Sequence, residues 1–291
     1  MNDQATTLRE MAKTSTIPMN KGPEQKHSCT IAVTGGKGGV GKSNVAVNLA
    51  LELAANGRRV SLLDADLALA NADVLLGLNP RYHLGHVLSG EKSLADVVIE
   101  TNGGVRLIPA GSGIEELANL PRAQQQRFIA ELSAMEDESD FLIVDTPAGI
   151  GHNVTSVMNA ASAVIIVTTP DPTAVIDAYA TLKVLHQQSP GKPVWVVVND
   201  VVGIGDAEQT FGHIQAAAIR FLRHPLVYIG TIPRDSELAD AVRKQVPVVQ
   251  YSPQTPASRA LRLIARWVDQ TRFSSKDPAA NFWQEITQTP N

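Results

Sequence analysis

The chain carries a single cysteine, Cys29, in 291 residues. No disulfide can close within it, which excludes the small secreted scaffolds held by such bridges and fits a reducing cytoplasm. The same count excludes a thiolate-bound iron–sulfur cluster, which needs several cysteines. Cys29 itself reads as a small apolar residue beside a strand. Aromatic residues are scarce, at 4%, too few for a base-stacking nucleic-acid surface. Positive charge is not in excess: Lys and Arg number 25 against 29 Asp and Glu, for a formal net charge of −4. Broad electrostatic binding to DNA or to an anionic membrane is therefore not expected. No apolar run approaches the ~20 residues that a membrane span requires, and the polar N-terminus does not read as a signal peptide. What the chain has is a 44% share of hydrophobic residues. That supplies a substantial core, and the length suits one domain of roughly 240 residues with tails.

Residues 35–43 read Gly-Gly-Lys-Gly-Gly-Val-Gly-Lys-Ser. They contain the phosphate-loop pattern G-x-x-x-x-G-K-[ST], with Gly36, Gly41, Lys42 and Ser43 in its fixed positions. The glycines let backbone N–H groups turn inward as an anion nest, and Lys42 supplies a point charge for the outer phosphates. The Ser43 hydroxyl suits Mg²⁺, and the following helix aims its positive end at the same place. Residues 30–34 read as a buried strand and 44–55 as a helix, the strand–loop–helix setting that the pattern requires. Contacts to ATP are expected from Gly36, Lys37, Gly38, Gly39, Val40, Gly41, Lys42, Ser43 and Asn44.

Lys37 lies just inside the loop, where an ordinary phosphate loop needs no second charge. The stretch from Lys37 to Ser43 resembles the deviant Walker A loop of the MinD/ParA superfamily of dimerising ATPases. The resemblance implies that Lys37 reaches across a face-to-face dimer to the partner's phosphates. Phosphoryl transfer is catalysed mainly by positioned positive charge, so such an arrangement makes hydrolysis depend on pairing. Residues 60–66 (Val-Ser-Leu-Leu-Asp-Ala-Asp) run an apolar strand into two carboxylates. By the same resemblance Asp66 positions the attacking water, while Asp64 lies near the metal. Residues 141–151 form a strand ending in Asp145 and resemble the Walker B aspartate with its switch loop. A carboxylate there holds Mg²⁺ directly or through water. Asn199, after strand 194–198, occupies the superfamily's adenine position, and an amide offers both a donor and an acceptor. Residues 231–235 resemble the loop that closes over the base, through Pro233 and Asp235.

Strand-like runs recur at 31–33, 60–63, 105–108, 141–144, 163–167, 194–198 and 226–229. They are nearly continuous in apolar and β-branched residues rather than alternating, so both faces of the sheet should be covered. Helical segments fall between them at 122–134, 173–187, 207–222 and 257–270. The predicted fold is α/β, a doubly wound and mostly parallel sheet with its ligand at the C-terminal strand ends. In the last helix Ala257, Leu261, Ile264 and Val268 make an apolar stripe, with Arg259, Arg262 and Arg266 as a solvated basic row.

The termini choose the branch. Asp3-Gln4-Ala5-Thr6-Thr7-Leu8-Arg9 matches the D-Q-A-x-x-L-R motif at the start of the FlhG group (FleN, YlxH) of flagellar-number regulators. Asp3, Gln4, Ala5, Leu8 and Arg9 are then the partner-binding residues, on a short helix that folds when it docks. The resemblance implies an FlhF-type GTPase as partner, and a flagellar switch protein or flagellar transcriptional regulator as effector. The organisation expected is a motif helix at 1–12, a flexible linker at 13–29, the ATPase domain at 30–272 and a tail at 273–291. Phe282, Trp283 and Ile286 in that tail make at most a weak interfacial anchor, since Asp277-Pro278 interrupts it and a basic face is missing. The tail is expected to fray.

The leading expectation is an ATP- and Mg²⁺-dependent switch that pairs as a homodimer, hydrolyses slowly and sets flagellar number or placement. It would be cytoplasmic, with at most a peripheral hold on the inner membrane face or the pole, and without direct contact to nucleic acid. A ParA-type partition ATPase on DNA would want a basic dimer surface. A MinD-type septum regulator would want a stronger tail and no N-terminal motif. A P-loop ligase would turn over ATP in response to a small substrate rather than to self-association.

Overall fold

A computed structural model describes residues 28–66, 71–110, 120–271 and 282–288. The phosphate loop connects β1 (Cys29–Thr34) to α1 (Lys42–Ala55). β2 (Val60–Asp64) is followed by three short helices, α2 (Ala72–Leu75), α3 (Leu84–Leu88) and α4 (Leu94–Val97). Next come β3 (Ile99–Glu100), β4 (Val105–Pro109), α5 (Arg122–Asp137), β5 (Phe141–Asp145) and α6 (His152–Ala160). β6 (Ala163–Thr168), α7 (Pro172–Gln188), β7 (Val194–Val201) and α8 (Ile204–Ala217) continue the alternation, and α8 ends in a π turn over Ala218–Leu222. β8 (Val227–Pro233) leads into α9 (Ser236–Arg243), α10 (Val248–Tyr251) and α11 (Pro256–Gln270), and α12 (Phe282–Gln288) is the last described element.

The strands form one sheet in the order β3-β4-β2-β5-β1-β6-β7-β8, parallel throughout except for the short β3–β4 pair. This is the doubly wound parallel sheet that the uninterrupted apolar runs imply. Both faces are covered, and alternate residues of one strand serve opposite layers. Ile31 and Val33 pack with Leu49 and Leu53 of α1 and with Leu261, Ile264 and Val268 of α11. Ala32 faces the other way, toward the layer that holds Leu132 of α5, Met158 of α6 and Leu182 of α7. Register sets up the site: Val33 of β1 and Asp64 of β2 both lie opposite Asp145 of β5. The phosphate loop and two carboxylates therefore emerge side by side at the C-terminal strand ends.

Three expectations change. β8 runs on to Pro233, because Thr231 pairs with Val198 and Pro233 with Val201 across an irregular register. Residues 231–233 are thus the end of a strand rather than a loop. The basic row on α11 is not uniformly solvated. Arg262 turns inward and binds the buried Glu52 of α1, with Nε 3.2 Å from Oε2, which leaves Arg259 and Arg266 exposed. The tail is also not frayed throughout. Phe282, Trp283 and Ile286 are 2%, 0% and 7% exposed and belong to the core layer formed by α5 and α6. Spacing of i, i+1 and i+4 puts all three on one side of a helical turn, and that side has a seat on the protein itself. Among the described residues no helix is long and apolar enough to cross a membrane. Asp3, Gln4, Ala5, Leu8 and Arg9 lie outside the described residues.

Candidate nucleotide site

The loop is built by exclusion of side chains. A Cβ on Gly36 would run into the backbone carbonyl of Asp177 in α7, so this glycine allows the loop to lie directly on that helix. Gly41 adopts φ 92°, and a Cβ there would strike the amide of Asn199. α1 begins immediately after it with no side-chain cap and no acidic residue in its first turn. Its first N–H groups and the positive end of its dipole are therefore left for an external anion.

Lys42 is 7% exposed. Burial pushes its ammonium pKa down, and the charges of Asp145 and then Asp66 oppose that fall. Asp145 is fully buried, and neither carboxylate oxygen has a hydrogen-bond partner. Burial drives its pKa up to about 7. The nearby Ser43 hydroxyl and the Lys42 charge work against the rise, and the Asp64 and Asp66 charges add to it. Ser43 lies close to Asp145 without meeting the geometry of a hydrogen bond. A buried carboxyl group with both oxygens unpartnered, beside a serine hydroxyl, is the donor chemistry of a hard divalent cation, so the residues present fit Mg²⁺.

Asp64 lies opposite Asp145, near enough for its charge to act there, and it also organises the backbone beyond β2. Its carboxylate accepts from the backbone N–H of Asp66 at 3.2 Å, of Asn71 at 3.2 Å and of Ala72 at 3.1 Å. One side chain thus binds the backbone at Asp66 and at the start of α2. Burial raises its pKa to about 6, against the effect of those three bonds. Asp66 is half-buried, close enough for its charge to act on both Lys42 and Asp145.

Asn199 donates through Nδ2 to the Val40 carbonyl at 2.9 Å, so the end of β7 is tied to the phosphate loop. Pro233 ends β8. Asp235 is occupied twice: Oδ1 accepts from Glu237 N–H at 3.0 Å and Oδ2 from Ala257 N–H at 3.0 Å, capping α9 and α11 together. Each oxygen thus holds one helix start.

Lys37 is half-exposed at the mouth of the loop. Its Nζ donates to Thr173 Oγ1 at 2.6 Å and lies 3.5 Å from Asp171 Oδ2. Beside it opens a cavity of about 350 Å³ lined by Lys37, Gly38, Gly39, Val40, Asp171, Asp200 and Arg234 among others. Arg234 closes one side through a two-pronged pair with Asp200, at 2.8 and 2.7 Å. Asp171, Thr173, Asp200 and Arg234 are site residues that sequence reasoning did not find. Only the adjacency of Asp200 to Asn199, and of Arg234 to Pro233, hints at two of them. Lys42, Asp66 and Asp145 lie close together at the C-terminal strand ends and Asn199 touches the phosphate loop, whereas Lys37 stands apart on Asp171 and Thr173.

The ParA family model, described as a NUBPL iron-transfer P-loop NTPase, matches residues 26–269. The chain is 45% identical to the antiactivator FleN of Pseudomonas aeruginosa, over 82% of this chain and 85% of that one. It is 33% identical to the flagellum site-determining protein YlxH of Helicobacter pylori, over 91% and 90% of the two chains. Among solved structures, the MinC:MinD cell division complex of Aquifex aeolicus superposes with a TM-score of 0.69 at 26% identity, covering 86% of this chain and 99% of that one.

Proposed function

The chain belongs to the ParA family of P-loop ATPases, alongside FleN and YlxH, and from that premise we propose an ATP-driven dimeric switch. The observation that carries the proposal is the pairing of two lysines in one loop. Lys42 is buried against the site's carboxylates, while Lys37 stands at its rim, half-exposed and turned away from them. The first suits the phosphates of the chain's own nucleotide, and the second suits those of a partner copy. Mg²⁺, when bound at Asp145 and Ser43, supplies charge neutralisation for the transferring phosphoryl group. Lys42 and the open N-terminus of α1 hold the phosphates. Asp66 orients the attacking water, and Asp64 fixes the backbone on which Asp66 sits. Asn199 meets adenine with the part of its amide not spent on Val40. The dimer is the signalling state, and slow hydrolysis returns the monomer.

The output we infer is control of flagellar number or placement, supported by the kinship with FleN and YlxH and by the Asp3–Arg9 motif. In this reading Asp3, Gln4, Ala5, Leu8 and Arg9 engage an FlhF-type GTPase, while a flagellar switch protein or transcriptional regulator receives the dimer. Membrane attachment is weak, because the apolar residues of α12 are spent on the core. Sedimentation velocity of Asp66→Ala with Mg-ATP and with Mg-ADP tests the switch. A dimer with ATP alone is expected. A monomer under both conditions at the highest attainable concentration contradicts it.

A further inference from the structure

The seat of α12 holds a buried titratable group. Glu136 stands in the last turn of α5 and is 4% exposed. Its Oε1 accepts from the Thr30 hydroxyl of β1 at 2.8 Å, and the carboxyl group also takes the backbone N–H of Phe282, the first residue of α12. Its Oε2 is buried without a hydrogen-bond partner. One turn earlier on the same side of α5, the buried Ser133 hydroxyl has none either. Cys29 of β1, close enough to sense the Glu136 charge, is a neutral thiol because burial pushes its pKa well up. Burial likewise lifts the Glu136 carboxyl to about 7; the Thr30 bond opposes that rise, the Asp137 charge adds to it and the Phe282 N–H opposes it. Elsewhere on α12, the Glu285 charge acts on Lys192, whose ammonium donates to the Asn159 and Ala161 carbonyls at 2.6 Å each. That second attachment joins opposite charges. At Glu136 the tail instead covers an acid whose ionised form lacks the partners that a buried charge needs.

We propose that Glu136 makes the seat of α12 a proton-linked clasp: the tail lies down while this carboxyl holds its proton and lifts more often once it is ionised, baring Phe282, Trp283 and Ile286. Covered, the group titrates at about 7; uncovered, it returns toward its ordinary 4.5. The covered value is the higher one, so docking takes up a proton between about pH 4.5 and 7. Docking is therefore strongest below that window, weakens as pH rises through it, and carries its full deficit above about 7. Each pH unit inside the window costs docking about tenfold, for roughly 300-fold across the whole window. Between pH 6 and 8, where the effect begins to saturate, the docking constant falls roughly tenfold.

Amide hydrogen exchange of the full chain without nucleotide, read by mass spectrometry and corrected for the intrinsic pH dependence of exchange, follows the lifting of α12. Protection of residues 282–288 is expected to fall roughly tenfold from pH 6 to pH 8, and to stay below that of β1 because the tail opens without the sheet. Glu136→Gln keeps the side-chain shape and removes the ionisation. Its tail protection should be equal at the two pH values and exceed that of wild type at pH 8. Thr30→Val removes the hydroxyl that favours the covered anion, whereas water serves the uncovered one, so its loss of protection should continue to higher pH. If Glu136→Gln does not fold, Thr30→Val carries the comparison. Wild-type protection of residues 282–288 that does not change with pH overturns the clasp, as does an equal change in Glu136→Gln or an unmoved profile in Thr30→Val. Protection of α12 equal to that of β1 at both pH values also overturns it, because the tail then leaves only when the whole chain unfolds.

Discussion

Asp145 is buried without a hydrogen-bond partner, and that makes a measurable demand on the empty protein. In the folded chain its carboxyl titrates at about 7, against 3.8 ordinarily. The folded pKa lies above the unfolded one, so between about pH 4 and 7 the folded state keeps a proton that the unfolded state has released. Stability therefore falls as pH rises through that window, and the deficit is complete above about 7. Roughly three pKa units at ~1.36 kcal/mol each give at most about 4 kcal/mol. Asp145→Asn keeps the shape and deletes the titration. Without nucleotide and in EDTA, urea unfolding should show the variant more stable than wild type by up to about 4 kcal/mol at pH 8, and equal to within about 1 kcal/mol at pH 4. Asp64 and Glu136 also have raised values, about 6 and about 7; Glu136 is common to both proteins and cancels, whereas Asp64 and Lys42 are coupled to the Asp145 charge, so the difference reports Asp145 together with that coupling. Mg-ATP should then stabilise wild type more than the variant, since only the carboxylate gains from a cation. A variant no better than wild type at pH 8, or a difference that does not change with pH, refutes the claim that this carboxylate is held in strain for a metal.

Trp283→Ala should cost about 3–5 kcal/mol in urea unfolding, because the indole is fully buried; a loss under about 1 kcal/mol means that α12 is not seated as described. Gly41→Ala should weaken nucleotide binding by an order of magnitude or more, since the new methyl meets φ 92° and the Asn199 amide together. Equilibrium titration with a fluorescent ATP analogue would expose an error if affinity is unchanged. Deleting residues 1–13 should leave ATP binding intact and abolish stimulation of an FlhF-type GTPase, read as GTP turnover, and Leu8→Asp should do the same; undiminished stimulation removes the motif as an activator.

The fold was legible because the sheet is buried on both faces. Runs such as Ala-Val-Ile-Ile-Val at 163–167 leave little besides a central parallel strand, and the phosphate loop marks the end of the first one. The grouping of Asp145 with Asp66 was legible for the same reason, since strand ends fix where such residues emerge, and Lys42 was legible from the loop pattern that opens α1. What could not be read is whatever depends on distant segments meeting. Thr173 and Lys37 are joined only by the packing of α7 on the loop, and nothing near either residue signals it. The contact of Asp235 with the start of α11, 22 positions on, has no local signal either. Arg262 belongs by periodicity to a solvated row, but the buried Glu52 draws it inward. The apolar trio of α12 offers the same pattern to a membrane as to a groove, and only the exposed side of α5 and α6 decides between them. β3, two residues long, has no periodicity to detect.

Trans action of Lys37 is most directly tested by mixing two inactive proteins. Lys37→Ala retains Asp66, and Asp66→Ala retains Lys37. In a mixed dimer the Lys37→Ala protomer keeps its own Asp66 and receives Lys37 from its partner, so one of the two sites is complete. Steady-state phosphate release from an equimolar mixture should rise to roughly a quarter of the wild-type rate, while each protein alone stays near background. A mixture no more active than its components would mean that Lys37 serves its own protomer, and the proposal of a switch completed across the dimer would be wrong.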